Sequence, residues 1–178
     1  MRAIGRWAVR ERIELNQDLT PAGISSRVMH ELHSHALDAV PEECCGLVTG
    51  TPGNRFSRTY RITNVMTKKH LEDPSAFPRD ARHAFYMSEG EYYRAQHDAE
   101  QRGETVTAVY HSHVEAGPYF SAEDIAYAEH SLFPFPGASQ IVLSVIGDLV
   151  AGSAIFEIDP VRGEFSDGCA RLLEVDEG

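Results

Sequence analysis

"TVTAVYHSHVEAGPYFSAEDIAYA", residues 105–128, decides how this chain is read. Its first nine residues have the period of a β-strand. Val106, Ala108 and Tyr110 fall on one face, and His111 and His113 project together from the other. At the rise of a strand the two histidine Cα atoms stand about 6.6–6.8 Å apart. Inward tilt of the rings brings two nitrogens to the roughly 3.3 Å separation that two Zn–N bonds of about 2.0–2.1 Å require in a tetrahedron. "VEAGPYF" then turns the chain, and Ser121 opens a helix with Asp124 in its first turn. Ser and Asp at this spacing can form a capping box, with the carboxylate near the positive end of the helix dipole. Asp124, separated from His113 by ten residues, is equally placed to be a third metal donor. Two histidines and a carboxylate leave one tetrahedral position for water, the open form of a zinc site. The stretch by itself fits a plain cap and a cap that also binds metal.

A second "HSH", His33-Ser34-His35, lies in a different period. "LTPAGISSRVMHELHSHALDAVPEE" reads as a helix, capped by Thr20 or Ser25, with Ile24, Val28, Leu32, Ala36 and Val40 recurring every four residues and Pro41 ending it. On a helix His33 and His35 diverge by roughly 200° and cannot share an ion. "HELHSH" also misses the zinc-protease pattern H-E-x-x-H, because Ser34 stands where the second histidine belongs. His30, His33 and His35 are therefore expected to be packing or solvent-side residues.

Around these stretches, 10–15 reads as a short strand, "CCGLVTG" as a buried strand ending at Thr51-Pro52-Gly53, and "FSRTYRITNV" as a strand. "TKKHLEDPSAFPRDA" reads as a long loop, either a lid or docking surface or plain surface. "HAFYM" reads as a strand. "SEGEYYRAQHDAEQRG" reads as a helix with a Ser88/Glu91 capping box, ended by Gly103. "SQIVLSVIGDLVAGSAIFEI" is expected to be a hairpin turning at Gly147-Asp148, followed by a weakly patterned tail from Asp159. Strands interleaved with three helices give a mixed α/β domain.

Composition limits the partners. The 178 residues carry a formal net charge of -11 and no basic block, which disfavours nucleic acid and anionic membrane. The most apolar run, residues 141–156, is too short to span a bilayer and is split by Gly147-Asp148. The first residues lack the apolar run of a signal peptide. Three cysteines, with Cys44 and Cys45 adjacent and Cys169 far away, argue against a disulfide framework and for a reducing cytoplasm. Cys44 and Cys45 are expected to be buried thiols rather than ligands.

The block H-x-H, ten residues, then D, with Ser three before the Asp, resembles the JAMM motif of the MPN metallopeptidase family. "PEECCGLVTG" is similar to that family's glutamate-bearing strand, with Glu43-Cys44-Cys45-Gly46-Leu47 in register. The resemblance covers roughly residues 25–158. It implies one MPN-like domain over 1–178, a curved mixed β-sheet flanked by helices. It also implies one zinc ion held by His111, His113 and Asp124, Glu43 as general base and Ser121 as donor to the oxyanion. Val114, where family members often carry proline, leaves the following loop open. The resemblance further implies a zinc-dependent peptidase or isopeptidase. Small stand-alone bacterial members look like processors of ubiquitin-like sulfur-carrier proteins, trimming residues beyond a C-terminal Gly-Gly. The rival reading is a non-catalytic MPN scaffold for protein–protein interaction. A zinc nucleobase deaminase is excluded, because His111 is followed at the needed spacing by His113 rather than Glu, and no C-x-x-C exists.

Overall fold

A computed structural model describes residues 11–176. Seven strands and four helices occur in the order β1 (Ala22–Ile24), α1 (Ser26–Ala39), β2 (Cys45–Thr51), β3 (Asn54–Ile62), α2 (Met66–Glu72), α3 (Glu89–Gln101), β4 (Thr105–Val114), α4 (Ala122–Ala128), β5 (Ser139–Ile146), β6 (Leu149–Asp159) and β7 (Glu164–Val175). The strands form one curved mixed sheet, ordered β1-β7-β6-β5-β4-β2-β3. Two pairs are parallel, β1 with β7 and β4 with β5; the rest are antiparallel. The chain is thus a mixed α/β domain, one curved sheet flanked by helices.

The alternation of β4 sorts the core. Ala108 and Tyr110 enter the cluster under α1, with Val28, Leu32 and Ala36. Val109 enters the opposite cluster, with Tyr92 and Ala95 of α3. His111 and His113 lie on that second face, beyond the apolar part of the strand. Gly46 is required by packing where β2 crosses between β3 and β4. A Cβ there would meet the Tyr60 carbonyl oxygen at 2.3 Å and the Tyr110 ring at 2.5 Å. The β5–β6 hairpin turns at Gly147, whose φ of 61° suits a two-residue loop led by glycine.

Several sequence expectations change. The helix expected over 19–43, with Pro41 ending it, begins only at Ser26. Ser25 is its cap, accepting from the Val28 N–H at 3.3 Å, and Ala22–Ile24 instead pair with β7. The expected loop over 67–81 contains α2. Its start is set by Asn64, whose Oδ1 accepts from the Met66 N–H. "HAFYM" is not a strand: only Met87 pairs, in a single bridge with Asn64. The Ser88/Glu91 capping box does not form. Ser88 makes no side-chain cap bond, and Glu91 instead accepts from the Thr63 N–H and hydroxyl. The tail holds β7, twelve residues long. The short strand expected over 10–15 is reduced to a bridge between Ile13 and Phe120, and Arg10 lies outside the described residues.

Candidate metal centre

β4 delivers both histidines, and a turn of seven residues returns the chain to α4. Glu115 adopts φ 55° in that turn, its N–H donating to the Val145 carbonyl at 2.7 Å. Val114, in place of the proline, simply prolongs the strand. The turn is tied down at two further points. Ser144 Oγ donates to the Ala116 carbonyl, and Phe120 and Ile13 exchange two backbone hydrogen bonds.

The result is a convergence. His111 Nε2 and His113 Nε2 are 3.1 Å apart, and Asp124 Oδ2 lies 3.2 Å from the first and 3.3 Å from the second. All three residues are buried. His113 Nδ1 donates to the Gly117 carbonyl at 2.9 Å, so in its neutral form the ring presents a bare Nε2 lone pair to the centre; burial lowers its proton affinity, but Asp124 outweighs it and holds His113 above the usual histidine range. That backbone partner fixes the tautomer, as such bonds do for metal-bound histidines. Ser121 and Asp124 do form the capping box. Ser121 Oγ accepts from the Asp124 N–H and the Ser121 N–H donates to Asp124 Oδ2, each at 3.1 Å. The cap and the ligand set are therefore one structure: capping holds Asp124 in the rotamer that faces the histidines. Burial opposes ionisation of Asp124, but the two histidines outweigh it and keep the carboxyl well below its usual range. Burial, with His113 adding to it, outweighs Asp124 and pushes His111 down, toward the neutral form that binds metal. An anionic oxygen and two imidazole lone pairs, spaced near the edge length of a zinc tetrahedron, fit a divalent cation. Among the described residues this is the one such group.

Glu43 is buried directly before β2, whereas its neighbour Glu42 is exposed. Burial pushes the Glu43 carboxyl up to about 8, with His113 pulling the other way and Asp124 adding to the rise. Its backbone is held on both sides: its N–H donates to the Ala81 carbonyl at 2.7 Å, and its carbonyl accepts from Asn64 Nδ2 at 3.0 Å. Cys44 and Cys45 are buried and free, and their thiols lie in the core clusters rather than in the metal group. Burial pushes Cys44 up to about 12 and Cys45 likewise upward, so neither offers a thiolate.

Four supporting residues escaped the sequence reading. Ser112, the middle of the H-S-H, points to the other face. Its Oγ accepts from the Cys44 N–H at 2.8 Å and links the Glu43 segment to the histidine strand. Asn64 ties Glu43 to the 84–87 segment. Phe85 stacks on His111 with ring centroids 4.3 Å apart, and Tyr119 lies 4.8 Å from His113 with the Arg12 guanidinium over its ring. Only the polar-in-strand character of Ser112 and the Asn before α2 left any trace in the sequence. The other HSH behaves as expected. His33 Nε2 contacts Ser153 Oγ, His35 Nδ1 contacts the Tyr110 hydroxyl, and His30 is exposed.

Comparison with known proteins gives the family. The family model described as prokaryotic homologs of the JAB domain matches residues 25–157. The chain belongs to that family, a class of JAB/MPN domains. No curated protein matches the chain significantly. Among solved structures, a protein from Desulfitobacterium hafniense is 23% identical, with a TM-score of 0.58 over 86% of this chain and 92% of that one. One from Salinibacter ruber is 25% identical, with a TM-score of 0.57 over 88% and 93%. These likenesses concern the fold. Among the described residues no helix is long and apolar enough to cross a membrane.

Proposed function

We propose that this chain is a zinc-dependent peptidase or isopeptidase that trims residues beyond the C-terminal Gly-Gly of a ubiquitin-like sulfur-carrier protein. The observation that carries the hydrolase reading is the convergence of His111, His113 and Asp124 on one point. A zinc ion held by these three residues, one per chain, supplies an acidified water and a Lewis acid for the scissile carbonyl.

The chain's own residues do the rest. Glu43 takes the proton from the attacking water and passes it to the leaving amine, and the burial that raises its proton affinity lets it hold that proton between the two transfers. Ser121 Oγ already accepts from the Asp124 N–H. Its own O–H proton is left to donate to the developing oxyanion. Phe85 and Tyr119 flank the histidine rings and shield them from water. The sulfur-carrier substrate rests on the family resemblance.

The direct experiment is incubation with sulfur carriers extended past Gly-Gly, with and without chelator. Trimming that stops on chelation and returns with zinc supports the proposal. Protein that carries no stoichiometric metal and trims nothing is a scaffold instead.

A further inference from the structure

Beside the metal centre lies a cavity of ≈340 Å³ that the chemistry above does not use. Its rim and walls are aromatic. Phe77 meets Tyr86 edge-on at 5.8 Å, Tyr86 lies 5.4 Å from Tyr127, and Tyr127 lies 5.4 Å from Phe85. Phe85 in turn stacks on His111. The cavity therefore runs from the segment after α2 across to α4, with Phe85 standing between it and the ring of His111. Asp124 itself forms part of the wall. The volume is at the small end for ligand pockets, suited to a side chain or a dipeptide. A tail of glycines passing the metal would leave these rings facing water.

One cationic side chain lines the cavity, Arg79. Its Nε lies 3.3 Å from Glu123 Oε1, in a contact more than half exposed on both sides. An exposed pair of this kind is worth little and exchanges readily for another carboxylate. Lys69 Nζ also stands 4.3 Å from the Tyr86 ring centroid and 5.3 Å from that of Phe77, so two cations border the aromatic part of the cavity, in a chain of net charge -11.

We infer that this cavity is the subsite for a large apolar residue at the substrate's C-terminus, its aromatic or branched side chain among Phe77, Tyr86 and Tyr127 and its α-carboxylate on Arg79. The inference rests on the peptidase reading above and names the residue released. In the step itself, the amide C–N bond between the last glycine and that residue breaks. Water supplies the hydroxyl to the glycyl carbonyl carbon and, through Glu43, the proton to the departing amine. The products are a carrier ending in a glycine carboxylate and one free amino acid.

The test separates binding from turnover. Chelator-treated protein is titrated calorimetrically with peptides ending in Gly-Gly-Phe, Gly-Gly-Gly and Gly-Gly-Phe-amide. The Phe peptide is expected to bind at least tenfold more tightly than the other two, and the advantage over the amide is expected to vanish in Arg79→Gln. Ala126→Trp, placed on the exposed face of α4, fills the cavity and should erase the preference for Phe without changing the thermal melt. With zinc restored, carriers extended by Phe should be cleaved at least tenfold faster than those extended by Gly. Equal binding of all three peptides, or no binding, overturns the inference. Cleavage of both carriers at equal rates also overturns it and leaves the peptidase reading standing. A Phe preference in binding with no cleavage of any carrier upholds the subsite and removes the peptidase.

Discussion

The hydroxyl of Tyr110, on the face of β4 opposite the metal centre, lies 2.7 Å from Nδ1 of His35 on α1. Tyr110 is fully buried, and its O–H donates to a neutral imidazole. Burial, aided by Arg61, holds His35 down to about 4. The unfolded histidine titrates near 6.5, so between those values the unfolded chain binds the extra proton. His35 therefore costs no stability above pH 6.5 and progressively more as pH falls toward 4, where the loss levels off. The ring is partly exposed, so the loss should be about 1–2 kcal/mol rather than the full linkage value. Urea unfolding of wild type and His35→Gln from pH 7 to 4.5 checks this: the variant should show the shallower decline.

Removing a metal donor should act on the centre and spare the sheet. His111→Ala and Asp124→Ala are expected to purify without zinc, while wild type carries one ion by elemental analysis. Wild type should also gain thermal stability on adding zinc, by the mass-action term of about 2.7 kcal/mol at a hundredfold excess over Kd. Neither variant should respond.

Glu43→Gln keeps the shape and removes the base. Metal content is expected to match wild type, with turnover down at least about 100-fold. Retained turnover would reassign the proton transfer to another group.

Ser121→Ala removes one hydroxyl with two duties. Loss of the cap should cost about 0.5–2 kcal/mol in unfolding free energy, and loss of the oxyanion donor about 10²–10³ in kcat. Ser121→Thr should recover much of both. A variant with lowered stability and unchanged kcat would leave Ser121 as a cap alone.

Gly46→Ala probes the close crossing of β2 over Tyr110. The added methyl would strike the Tyr60 carbonyl as well as the Tyr110 ring, and a backbone oxygen cannot swing aside. Destabilisation of about 1–3 kcal/mol is expected, read as a lower denaturant midpoint.

The site was far more legible in the sequence than the elements around it. Two histidines at strand period, followed by Ser-x-x-Asp at a helix start, encode local geometry that the fold has only to bring together. Glu43 needed the family resemblance: nothing local tells it from Glu42, and what separates them is burial against Ala81 and Asn64, a tertiary fact. The misread elements share a cause. Ala22–Ile24 are a strand only because β7 lies alongside, and "HAFYM" fails as one because Asn64 takes up backbone groups of Ala84 and Tyr86 that a neighbouring strand would otherwise bond. The β7 signal was diluted by alternate faces that are only half covered. Long-range pairing decided each of these, and it leaves little trace in a local pattern.

The strand bearing both histidines is paired with β2 from Thr105 to His111 and with β5 from Ala108 to Val114. Folding the sheet has therefore already frozen the donors, and an arriving ion has almost no chain left to organise. Such a protein is a rigid chelator: stripped of its ion it should keep its shape, unlike small zinc domains that collapse without one, and wait intact for the next.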